Sequence, residues 1–215
     1  MKRFYSALDQ IGKSCGIYSL EIVNGIINNI PVNPHSYYET IEKCIKKSFT
    51  KIGEVFDINM LNTIANEFYP NIKTEVRQLK SVSDIDIFLN NYVLIMPIMN
   101  TVPHYIVLYK DKNKIVHAYN YTIKLFSCRI NLKKIYKKNH MIPNDFIWTA
   151  NIVHENSIKI STNRILLYIH DRQVSSYYAK YYQNIYKNAV EKNIINVGDI
   201  DKVDMCGKCL IVSPP

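Results

Sequence analysis

Among the residues able to do covalent chemistry in this chain, Cys15 has the most informative surroundings. It closes the run Gln10-Ile-Gly-Lys-Ser-Cys15 and is followed by Gly16 and then by Ile17, Leu20, Val23, Ile26 and Ile27 at helical spacing, with Pro31 beyond. The spacing predicts a helix over residues 16–28 with Cys15 at its N-terminus. Unpaired backbone N–H groups and the positive end of the helix dipole favour a thiolate there and lower a cysteine pKa from its free value near 8.5. The Gln10 amide, a few residues upstream, is placed to meet a developing oxyanion, with the Cys15 backbone N–H as second donor. A cysteine before a glycine is otherwise most often a small buried hydrophobe; the helix start and the glutamine set this one apart.

A thiolate that transfers acyl groups needs a base brought from elsewhere in the fold. Six histidines compete, at positions 35, 104, 117, 140, 154 and 170. His104 follows Pro103 and opens a Val, Ile and Tyr-rich run over 104–110. The polar turn Asp111-Lys112-Asn113 then leads into a second run over 114–119, which predicts an antiparallel hairpin. The second strand returns to Tyr119 and Asn120 at the same end of the sheet, so Asn120 is expected beside His104, orienting its imidazole. His117, on the second strand, is the runner-up base, with a core-satisfied or outward histidine as its plainer reading.

The elements that must position these residues change character along the chain. Amphipathic patterns over 37–49 and 58–69, and a short one over 83–91 capped by Ser83, make the first half mainly helical. Strand-like runs over 92–99, 104–110 and 114–119 follow, so the expected class is α+β. An alternating run over 157–169 adds strand character. Residues 175–193 are helical in pattern, with Tyr178, Tyr182 and Tyr186 on one face, read as packing or a partner interface. The expected organisation is a hydrolase core over 1–150 and a C-terminal extension over 151–215 that is integral to the same domain.

Composition bounds the rest. The chain has 215 residues, 47% hydrophobic, with 17 Tyr, which suits a folded globule. A net charge of +9 favours acidic partners, but the lysines are spread along the chain without a nucleic-acid motif, so a solvated basic surface is expected and nucleic acid is not. Five cysteines without framework spacing point to free thiols in a reducing, cytoplasmic setting, with non-classical export as the alternative. No signal peptide and no apolar run of about 20 residues is present. The lone Cys206-Gly-Lys-Cys209 motif lacks a second pair for zinc and reads as a solvent-facing tail. No cofactor or metal is expected, and the oligomeric state is open.

Taken together, Gln10 through Gly16, then Pro103-His104-Tyr105-Ile106-Val107-Leu108-Tyr109, then Val116-His117-Ala118-Tyr119-Asn120, resemble the bacteriocin-processing peptidase domain of ABC exporters and its stand-alone relatives, a papain-like family. The separation of His104 and Asn120 by sixteen residues and the downstream Ile130-Asn-Leu-Lys-Lys-Ile135 fit the pattern. Asn120 stands where exporter peptidases carry Asp, as papain itself does with Asn. The resemblance spans about residues 5–150. It implies a papain-like fold with the nucleophile helix packed on an antiparallel sheet, and a cysteine peptidase or amidase acting on a peptide or amide through Cys15, His104, Asn120 and Gln10. The alternatives are an acyltransferase that passes the acyl group to an amine or thiol, and a non-enzymatic basic binding module.

Overall fold

The computed structural model describes residues 14–50, 53–99, 103–119, 130–142, 147–149, 200–202 and 204–215. Three helices come first: α1 (Cys15–Asn28), α2 (Pro34–Lys46) and α3 (Ile58–Phe68). They are followed by β1 (Lys73–Gln78), α4 (Val82–Leu89), β2 (Val93–Met99), β3 (Pro103–Lys110), β4 (Val116–Tyr119) and α5 (Leu132–His140). Short strands β5 (Ile147–Thr149) and β6 (Ile200–Lys202) pair as a separate ribbon, and β7 (Lys208–Ser213) ends the chain. The class is α+β, as the order of patterns predicts, and no described helix is long and apolar enough to cross a membrane.

The sheet order is β1-β7-β2-β3-β4, all antiparallel. The last strand of the chain therefore lies inside the sheet, pairing with β1 on one side and β2 on the other. This corrects the reading of the Cys206/Cys209 stretch as a solvent-facing tail: Cys209, Leu210, Ile211 and Val212 are all buried. A continuous apolar run is what a strand covered on both faces looks like. β1 was not legible as a strand because only Val76 in it is apolar; it is a charged edge strand, whose side chains discourage pairing with other chains.

Side chains alternate across the pleat. Tyr105, Val107, Tyr109, Leu210 and Val212 join α1, α2 and α3 in one cluster. Ile106, Leu108, Leu94, Met96 and Cys209 join α4 and α5 in the other. Helix α1 is apolar around most of its circumference, hence central: Ile17, Leu20, Ile22 and Val23 are buried against the sheet and its neighbours. Local chemistry sets the ends. Asn33 caps α2 with Pro34 at its first turn, Asp57 caps α3, and Asn29 ends α1 in the left-handed region at φ 52°. The cap of α4 is Ser81 rather than Ser83, in a capping box with Asp84. The hairpin turn is held by Asp111, whose carboxylate accepts from the N–H groups of Asn113 and Ile115.

Candidate functional site

The N-terminus of α1 is pressed against β3. Gly16 makes that approach possible: a Cβ there would stand 3.1 Å from Leu61 Cδ1, 3.3 Å from Val55 Cβ and 3.4 Å from the Tyr105 ring. Ser14, at the N-cap position, does not cap the helix; its hydroxyl meets that of Tyr37 on α2, both groups buried. Tyr37 in turn packs edge-on against Tyr18 of α1, so the first turn is tied to α2 on one side and to β3 on the other.

Cys15 is the first residue of α1 and 5% exposed. Burial pushes its thiol up to about 11, against the pull of backbone N–H groups of Tyr105, Gly16 and Cys15 itself. Desolvation thus wins over the helix terminus, and the thiol is protonated at neutral pH. Cys44 and Cys209, buried without such a set of donors, are both pushed up to about 12. The activated, low-pKa cysteine expected from the sequence is replaced by a buried thiol that is still the less perturbed of these three.

His104 is the second residue of β3, half-buried, and pairs with Ile98 across the ladder. The Tyr105 ring, 3.4 Å from where a Cβ on Gly16 would stand, places the residue after His104 against the first turn of α1. The pleat assigns His104 to the parity of Ile106 and Leu108, which pack toward α4 and α5, while Tyr105 shares the cluster of Cys15. The fold therefore brings β3 at Tyr105, the residue after His104, to the first turn of α1. Gln10 and Asn120 lie outside the described residues; the last residue before Asn120, Tyr119, pairs with Val107.

His117 has a different role from the runner-up base. It pairs with Tyr109, four residues along β3 from Tyr105, or about 13 Å at strand rise. Its Nε2 lies 2.9 Å from Asp111 Oδ2 and its ring stacks on Tyr109 at 4.8 Å. His35 is exposed on α2 beside Glu39, and His140 ends α5 on the opposite face of the sheet.

Two buried residues near the site, Tyr105 and Glu21, carried no functional signal in the sequence. Tyr105 is 1% exposed with a buried hydroxyl, held well above its usual pKa by burial and then by Cys15, Asp57 and Asp204. Glu21, one turn and a half into α1, is buried; burial raises its pKa, opposed by the Tyr69 and Ser36 side chains and the Asn33 backbone. The Cys206 sulfur lies 3.8 Å from the His140 carbonyl, in the turn before β7, while Cys209 points into the α4/α5 cluster. Among the described residues no group of three or more His, Cys, Asp or Glu side chains is placed to hold a metal. A cavity of about 460 Å³ at the β1–β7 edge, lined by Asn66, Lys73, Glu75, Tyr92 and Ser213 among others, does not include Cys15 or His104. No protein-family model matches the chain, and neither a curated protein nor a solved structure matches it.

Proposed function

We propose that this chain is a papain-like cysteine peptidase or amidase, with Cys15 as nucleophile, His104 as base, Asn120 orienting the imidazole and Gln10 completing an oxyanion site. The observation that carries the reading is the position of Cys15 as the first residue of α1, in a turn packed against β3 at Tyr105, the residue after His104. The resemblance in residue pattern supports it. Because the thiol is neutral at rest, the reading requires general-base chemistry in which the His104 side chain turns around the start of β3, from the parity it shares with Ile106, to take the thiol proton as sulfur bonds to the substrate carbonyl carbon. The tetrahedral oxyanion accepts from the Cys15 N–H and the Gln10 amide, and the imidazolium returns the proton to the leaving amine. Water then attacks the thioester, again deprotonated by His104, and frees the acid and the thiol.

A second reading has its own observation. Full burial and the raised pKa of Cys15 suit a core thiol in a non-enzymatic chain. One experiment separates the two: incubation of the wild type, Cys15→Ala and His104→Ala with a peptide-rich proteome, scored for new termini and new acyl adducts. New termini that vanish in both variants support hydrolysis, and adducts on amines or thiols with the same dependence identify acyl transfer. Identical profiles for all three proteins would refute the catalytic reading.

A further inference from the structure

We propose that the outer side of α5 is a docking surface for an anionic lipid bilayer, independently of any chemistry at Cys15. Lys133, Lys134, Lys137 and Lys138 fall at i, i+1, i+4 and i+5 of a nine-residue helix that carries no acidic residue. The other side of the helix is already occupied. Leu132, Ile135 and Tyr136 pack into the α4/α5 cluster, the Tyr136 hydroxyl donates to the Lys80 carbonyl at 3.0 Å, and the Asn139 amide donates to the carbonyls of Pro97 and Lys208 at 2.9 and 3.0 Å. The lysine side is thereby turned outward on a rigidly seated helix, with Lys133, Lys134 and Lys137 exposed.

Among the described residues Lys133, Lys134 and Lys137 have no carboxylate in ion-pair reach, whereas Lys43, Lys46 and Lys47 on and after α2 are each paired with a glutamate. The acids of the adjacent α4 are engaged: Asp84 by the N–H groups of Lys80 and Ser81, Asp86 by Lys110. At the C-terminal tip of the helix Met141 is 56% exposed.

Lysines over a surface with an apolar side chain at its rim match an anionic headgroup layer, in which ammonium groups meet phosphates and Met141 reaches the acyl boundary. Nucleic acid fits less well. The two aromatic rings of α5, Tyr136 and His140, pack on each other at 4.1 Å with Tyr136 in the α4/α5 cluster, and the helix has no arginine for bidentate contacts.

The test is flotation of the full chain with phosphatidylcholine vesicles containing or lacking phosphatidylserine, in low and high salt, alongside anisotropy of a labelled DNA duplex. Each lysine is worth roughly fivefold in affinity, so Lys133→Gln/Lys134→Gln/Lys137→Gln together should weaken binding by about a hundredfold. All three are exposed, so the thermal melt should be unchanged. Met141→Ser should cost a few-fold while leaving the salt dependence intact. Binding only to phosphatidylserine vesicles, lost in the triple variant and in high salt, supports the proposal. Absence of vesicle binding, equal binding to neutral vesicles, retention of binding by the triple variant, or tighter binding to the duplex than to vesicles would each overturn it.

Discussion

Ending the chain at residue 203 removes β7 from the interior of the sheet, and the cost follows from what that strand buries. Cys209, Leu210, Ile211 and Val212 are each 4% exposed or less. At about 1.5–3 kcal/mol for each large apolar side chain taken out of water, Leu210, Ile211 and Val212 together contribute about 4.5–9 kcal/mol. That is comparable to the whole stability of a domain, about 5–15 kcal/mol. The deletion also takes the ladder partner of β1 and the backbone bonds Ile58 N–H to Asp204 O and Asp204 N–H to Phe56 O, at 3.1 and 3.0 Å. The truncated chain should show no cooperative thermal transition by circular dichroism. A graded version keeps the chain intact: Leu210→Ala, at a site that is 0% exposed, should cost about 2–5 kcal/mol. For a chain of this size that lowers the melting midpoint by about 4–20 °C. A truncated chain that melts cooperatively near the wild-type midpoint, or a Leu210→Ala variant indistinguishable from wild type, would refute the placement of β7 as a core strand.

Alkylation followed by peptide mapping reads the thiols directly: a Cys15 pKa of about 11 against about 12 for Cys44 and Cys209 implies about tenfold more thiolate, since one unit is a factor of ten. Cys15 should therefore react with iodoacetamide ahead of both, with a rate that climbs steeply toward alkaline pH. Gly16→Ala should lower the unfolding free energy extrapolated from urea titration by about 1 kcal/mol net, because overpacking against Val55 and Leu61 costs about 1–3 kcal/mol and the helix-propensity gain returns about 1. Glu21 is shifted upward in the folded state by burial, so its contribution is fully present below the ordinary carboxylate range and is lost as pH rises through the folded value. Melts across that range should show the loss in wild type and a flatter profile in Glu21→Gln. Asp111 is shifted the other way, first by its hydrogen bond with His117 and then by the Ile115 N–H; its stabilisation should be present above the ordinary carboxylate range and fade as pH falls through the lower folded value, and Asp111→Ala should lack that acid limb.

How much of this was legible depended on whether the signal was local. The apolar repeat after Gly16 predicts α1 to within a residue, Pro70 and the pattern before it bound α3, and the Asp111 turn between two β-branched runs marks the hairpin, because each is written in adjacent residues. The placement of Cys15 at a helix start was legible for the same reason. β1 and β7 were not, since each is stabilised by the other across more than a hundred residues, and neither a charged edge nor a six-residue apolar end declares its partner. The site shows the same division: residue types and spacing nominate Cys15 and His104, but whether a thiol is charged depends on the volume of protein around it. Burial by the tertiary fold, which packs Tyr105, Val55 and Leu61 against the adjacent Gly16, desolvates Cys15 more strongly than the helix terminus favours its anion, and the pleat groups His104 with Ile106 and Leu108. Periodicity fixed which segments become helices and strands; desolvation, a property of packed three-dimensional neighbours, decided the charge of the thiol.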